Sequence, residues 1–154
     1  MKYIGNFKKF IILFIYIAFI FSNSLTPAVQ SSKNSDFFAF AANNFLSFFD
    51  VSLAYSTLTF IIRKSAHFIE YTLLGLLLQN TFSPYTKKIR LLLLSFFTLF
   101  IPVIDELFQK ITPGRSCEIR DMLIDATGIL CGILIYFLIV KLYKKHTNPQ
   151  YKSK

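Results

Sequence analysis

The stretch MLIDATGILCGILIYFLIV, Met122 to Val140, contains a single charged residue. A bilayer core of about 30 Å needs about 20 helical residues at about 1.5 Å each, so this stretch predicts a membrane-crossing helix. Asp121 stands just before it, and Asp125 lies inside it. Asp121, Asp125, Gly128 and Gly132 fall on one stripe, and Gly128-xxx-Gly132 is the small-residue spacing that lets two membrane helices approach closely. Gly75, within an earlier apolar run, is a further packing position of the same kind.

Three more runs of comparable length precede it. One spans 7–25, with Lys8 and Lys9 at its mouth and an uninterrupted apolar centre from Phe10 to Phe21. A second spans 58–80 and carries Arg63, Lys64, His67 and Glu70. A third spans 91–108 and must continue through Asp105 and Glu106 to be long enough, with Pro102 expected to kink it. The fourth, 122–140, is followed by a basic tail, 141–154. The first run has an alternative reading as a cleavable signal peptide, with Thr26-Pro27-Ala28 as a loose small-residue site; either way the following chain emerges on the outer side. The composition agrees with a membrane protein, since 54% hydrophobic against 16% charged residues is too apolar for a soluble domain of 154 residues.

Between the first two runs, 34–51 repeats apolar residues at Phe37, Phe38, Ala41, Phe45, Phe48 and Phe49, a helical period. It is too short to cross. It predicts an amphipathic helix on the outer leaflet or folded back on the bundle, the alternative being a Phe-rich linker packed on the other helices. The expected fold is an all-α polytopic membrane bundle of about four transmembrane helices plus this short interfacial helix.

A net charge of +9 raises the question of nucleic acid, which the distribution answers. Short-loop Lys and Arg stay cytoplasmic. With both termini inside, eleven positives and no acid fall on the cytoplasmic side: Lys2, Lys8, Lys9, Lys87, Lys88, Arg90, Lys141, Lys144, Lys145, Lys152 and Lys154. The other six positives and all eight acids fall outside or in the outer half of the membrane. Most basic residues thus flank apolar runs rather than forming a solvated basic face, so no nucleic-acid partner is expected. Cys117 and Cys131 have neither metal-type spacing nor a setting suited to a structural disulfide.

Ionised groups near the bilayer centre cost about 2.5–3.5 kcal/mol each on insertion scales, so a chain that keeps several must pair or use them. Lys64, His67 and Tyr71 stand at i, i+3 and i+7, with Glu70 adjoining. Asp105 and Gln109 are i and i+4, with Glu106 beside Asp105. Together with Asp121 and Asp125 they point to one depth, and the Pro113-Gly114-Arg115 turn swings a guanidinium over them, suited to a carboxylate or a phosphate. The expected ligand-binding set is Lys64, His67, Tyr71, Asp105, Glu106, Gln109, Arg115, Asp121 and Asp125. A purely structural role, buried ion pairs knitting the helices together, is the bland alternative. His67, Glu70, Asp105 and Glu106 are the candidates for acid–base catalysis. The same four as a metal site lack any recognised ligand spacing, so no metal and no cofactor is expected.

The segments RKSAHFIEYTLLGLLL (Arg63 to Leu78) and DELFQKITPGRSCEIRDMLIDATGILCG (Asp105 to Gly132) resemble the two signature blocks of the VanZ-like family of small bacterial membrane proteins. Lys64, His67, Phe68 and Tyr71 fit the first block. Asp105, Glu106, Gln109, Pro113, Gly114, Arg115, Asp121, Gly128 and Gly132 fit the second. Arg63 stands where an acid often precedes the Lys, and Asp125 where Asn is frequent, a pairing that suggests local compensation. The resemblance covers about Ser22 to Tyr143. It implies a multi-pass bacterial cell-membrane protein linked to glycopeptide, teicoplanin-type, resistance or to envelope maintenance, and it assigns no reaction. Three functions compete: a non-enzymatic factor binding membrane lipids or a lipid-linked wall precursor through Arg115 and its neighbours; an enzyme acting on a lipid; and a small transporter working as a homo-oligomer through the Gly128–Gly132 face.

Overall fold

The computed structural model describes residues 2–51 and 53–147; Lys152 and Lys154 of the expected basic tail lie outside the described residues. Five helices follow in order: α1 Lys2–Ser24, α2 Ala28–Ser47, α3 Tyr55–Phe82, α4 Lys87–Ile111 and α5 Ile119–Thr147. No strand occurs among the described residues. Three helices are long and apolar enough to cross a membrane, through Asn6–Ser24, Lys87–Ile111 and Ile119–Thr147. At 28 residues, or about 42 Å at 1.5 Å per residue, α3 has the length to cross as well. Its hydropathy is lowered by Arg63, Lys64, His67 and Glu70.

The pair α3/α5 forms the axis of the bundle, and glycine makes it possible. A methyl group added at Gly132 would overlap the Thr72 carbonyl oxygen, and one at Gly75 would overlap that of Ile129. At Gly128 it would stand 2.8 Å from the Phe68 carbonyl oxygen. The small-residue stripe is therefore filled by α3 of the same chain. Around this axis Leu13, Ile17 and Ile20 of α1, Tyr71, Leu74, Leu78 and Phe82 of α3, Leu94 and Ile101 of α4 and Ile129 of α5 close one core. The opposite faces are equally apolar: Phe14, Ile15 and Phe19 of α1 and Leu134, Leu138 and Ile139 of α5 all point outward, as a lipid-facing surface requires. Pro102 lies inside α4, where it withholds a hydrogen bond from the carbonyl four residues earlier, yet α4 remains a single helix.

The second helix differs from expectation. It starts at Ala28, six residues before the predicted 34, and ends at Ser47. Asp50 then adopts a left-handed backbone (φ 54°), and the Val51 N–H closes onto the Leu46 carbonyl at 3.2 Å. Its orientation explains the missed start. Ser31 and Ser35 line the space shared with α3, Ala39 is fully buried, and Phe37, Phe38, Phe45 and Phe48 are exposed. The small and polar side faces the protein while the phenyl side faces away, so the first two turns carry no apolar signal. Both cysteines are free.

Candidate functional site

Because α3 and α5 run parallel and in register, their polar stripes meet rung by rung. Lys64 forms an ion pair with Asp121, and both side chains are largely buried. One turn deeper, His67 Nδ1 stands 3.7 Å from Asp125 Oδ1. Deeper again, Tyr71 packs against Gly128. The spacing i, i+3, i+7 on α3 thus finds its complement in the Asp-xxx-Asp-xx-Gly of α5.

Helix α4 supplies a third wall. Asp105 is fully buried. Its Oδ1 accepts a hydrogen bond from the Ser24 hydroxyl at the end of α1, and its Oδ2 accepts one from Gln109 Nε2 at 3.0 Å. Charge-assisted bonds of this kind hold a carboxylate in one orientation. One donor atom each from His67, Asp105 and Asp125 lies within 4.8 Å of the others. Asp125, in place of Glu70 and Glu106, therefore completes the group around His67 and Asp105.

Glu106 and Glu70 serve elsewhere. Successive residues on a helix point about 100° apart, so Glu106 turns away from Asp105. Its Oε2 accepts the Glu118 backbone N–H at 2.8 Å, placing a buried carboxylate at the N-terminal end of α5, where the exposed N–H groups favour negative charge. Glu70 accepts a hydrogen bond from Asn23 Nδ2 at 2.7 Å, and its carbonyl accepts one from the Tyr16 hydroxyl at 3.0 Å. Asp105 and Glu106, adjacent in sequence, thus have different hydrogen-bond partners.

The mouth of the site is shaped by the loop from Thr112 to Glu118. Gly114 takes φ 76°, a conformation that costs glycine little. The loop is stitched to the end of α1 and the start of α2: the Thr112 hydroxyl reaches the Ser24 carbonyl at 3.2 Å, and the Ala28 N–H donates to the Pro113 carbonyl at 3.2 Å. Arg115 lies folded inward, with Nη2 3.4 Å from the Asn23 carbonyl. Burial, and then the nearby charge of Arg63, pull its pKa below the ordinary guanidinium range; a bound anion would act in the opposite direction by favouring the charged form.

Two cavities open beside these groups. One, about 240 Å³, is lined by Asn23, Thr26, Ser31, Ser35, Phe38, Arg63, His67, Glu70 and Arg115 among others. The other, about 120 Å³, is lined by Arg63, Lys64, His67, Gln109, Arg115 and Asp121 among others. Arg63, His67 and Arg115 border both. The structure thus brings together Lys64, His67, Tyr71, Asp105, Gln109, Arg115, Asp121 and Asp125. It leaves Glu106 at the α5 end and Glu70 on the α1 side. No ion pair joins Arg63 to Asp125 among the described residues, so the compensation suggested by those two departures is not a direct contact. Sequence reasoning missed Asn23 and Ser24, whose signal was a polar pair ending an otherwise apolar run at the depth of Asp105. It also missed the Glu118 backbone as the partner of Glu106.

A family model described as VanZ/LLP1 matches residues 9–140. No curated protein and no solved structure matches the chain.

Proposed function

The chain belongs to the VanZ/LLP1 family, and from that premise we propose that this membrane protein binds the anionic headgroup of a lipid or lipid-linked wall precursor. On this reading it serves envelope homeostasis or teicoplanin-type resistance in a bacterial cell membrane. The observation that carries the proposal is the pair Arg63 and Arg115 on the wall of the 240 Å³ cavity. Two guanidiniums on one cavity suit a phosphate, which each can engage with two parallel N–H donors. Phe38 on the same wall, and the outward phenyl groups of α2 beyond it, provide apolar surface for a chain attached to that phosphate.

The reading is multi-pass, with both termini cytoplasmic. Its support is that Lys9 meets Asn80 at the end of the bundle opposite the cluster, the same end as Lys87, Lys88 and Arg90, and short-loop positives remain inside. The cavities then lie in the outer half of the membrane.

The test is purification in native lipid followed by mass spectrometry of what co-purifies. An anionic lipid or wall precursor is expected with the wild type and is expected to be lost from Arg63→Ala/Arg115→Ala protein that still inserts. The extracted species distinguish the two sources, and equal lipid content in the two proteins refutes headgroup binding. Loss of any teicoplanin phenotype in Arg115→Ala is the cellular counterpart. A second reading, a membrane enzyme acting on the bound lipid, is favoured by one observation: His67 faces both cavities with Asp105 and Asp125 behind it. It predicts lipid turnover by the purified protein that His67→Ala abolishes.

A further inference from the structure

We propose that His67, Asp105 and Asp125 bind one divalent transition-metal ion. The three residues come from three helices, α3, α4 and α5, and each offers one donor atom to a group no wider than 4.8 Å.

The decisive residue is Asp125. It is 1% exposed, and neither of its carboxylate oxygens has a hydrogen-bond partner among the described residues. A buried carboxylate in that condition is costly unless it is paired or coordinates a metal. One facing group, His67 Nδ1, is equally without a partner and stands 3.7 Å away. That separation is too long for a hydrogen bond. It is close to the spacing of about 3.4 Å between two donors that each hold one tetrahedral cation at about 2.1 Å. A gap of this width between two inward-facing groups without other partners is what a shared ion fills.

The rest of the surroundings agree. Asp105 is already oriented by Ser24 and Gln109, the outer-shell support typical of metal-ligating carboxylates. Two buried acids match the charge of a divalent ion. Lys64 is taken up by Asp121, so it does not neutralise Asp125. One imidazole with two carboxylates favours zinc, manganese, iron(II) or cobalt over calcium and magnesium, which prefer all-oxygen shells. Three protein ligands leave at least one position free, and His67 borders both cavities, so water or a phosphate oxygen reaches the ion from there. The site stands on these residues alone and does not depend on the headgroup reading.

The experiment uses full-length protein purified in detergent, stripped with chelator, and titrated with Zn²⁺, Mn²⁺, Co²⁺ and Mg²⁺. About one transition ion per chain is expected, with Mg²⁺ failing to compete. Ser24→Ala, which removes one of the two groups that orient Asp105, is expected to weaken binding roughly 10–100-fold. Asp125→Asn is expected to weaken it further, and Glu106→Gln to leave it unchanged. The chain has two histidines, so His146→Ala leaves His67 alone. Nitrogen coupling to bound Mn²⁺ by pulsed electron paramagnetic resonance in that variant assigns the ligand without disturbing the site, even where Asp125→Asn fails to fold. Absence of stoichiometric binding by the wild type, or of nitrogen coupling in His146→Ala, overturns the proposal in favour of a plain His67–Asp125 ion pair.

Discussion

Replacing Gly132 by Ala adds one methyl group at the tightest crossing in the molecule. That methyl would overlap the Thr72 carbonyl oxygen and approach Leu76 N at 2.8 Å. Both neighbours are backbone atoms of α3, so neither can rotate away. Ordinary contact begins at 3.4 Å, and the two helices must therefore separate. Overpacking of this kind costs about 1–3 kcal/mol, which raises the unfolded fraction roughly 5- to 150-fold. The damage does not stay local. Gly132, Gly128, Asp125 and Asp121 share one face of α5, so separation at Gly132 also draws Asp125 from His67 and Asp121 from Lys64. Denaturant titration of the purified protein in mixed micelles, followed by circular dichroism, measures the loss. Thr127→Ala, on the exposed face of the same helix, is the control and is expected to leave the midpoint unchanged. A Gly132→Ala protein as stable as the wild type would falsify the claim that glycine sets the α3/α5 distance.

Three further outcomes follow from the same contacts. Lys64→Ala leaves Asp121 poorly solvated and is expected to cost about 3–5 kcal/mol, whereas Lys64→Met/Asp121→Leu should recover most of that stability; equal losses in the single and double variants would contradict a buried pair. Ser24→Ala removes a bond to a buried charge and should cost about 1.5–3 kcal/mol, read in the same titration. Glu106→Gln retains an acceptor for the Glu118 N–H and should lose less than Glu106→Ala, which uncaps α5 at about 1–2 kcal/mol; hydrogen exchange of the first turn of α5 separates the two.

Apolar runs announce α1, α4 and α5 directly, since length and hydropathy are all that a lipid-spanning helix needs. The polar stripes were also legible, because groups as costly in lipid as Lys64, Asp105 and Asp125 are kept only where they meet partners. What could not be read was which apolar residues face inward. Leu13, Ile17 and Ile20 are buried while Phe14, Ile15 and Phe19 are exposed, yet both sets are equally apolar, so no amphipathic contrast marks the core. The opposite pattern hid the beginning of α2, whose protein-facing side opens with Ser31 and Ser35 rather than with apolar residues. Glu106 has a partner that its place in the sequence does not announce. Neighbours in sequence are not neighbours on a helix, and the residue that joins Asp105 and His67 is Asp125, on another helix and twenty positions away.

The pairing of α3 with α5 also sets a timetable. Lys64 and Asp121 are 57 residues apart, and at about 5–20 residues per second of synthesis the ribosome needs roughly 3–11 s to deliver the second after the first. Throughout that interval α3 holds Lys64 and His67 without their α5 counterparts, and Gly75 lies bare. Helix α5 closes the polar centre, so a chain interrupted before Ile119 lacks the partners that Lys64 and His67 meet in the finished bundle.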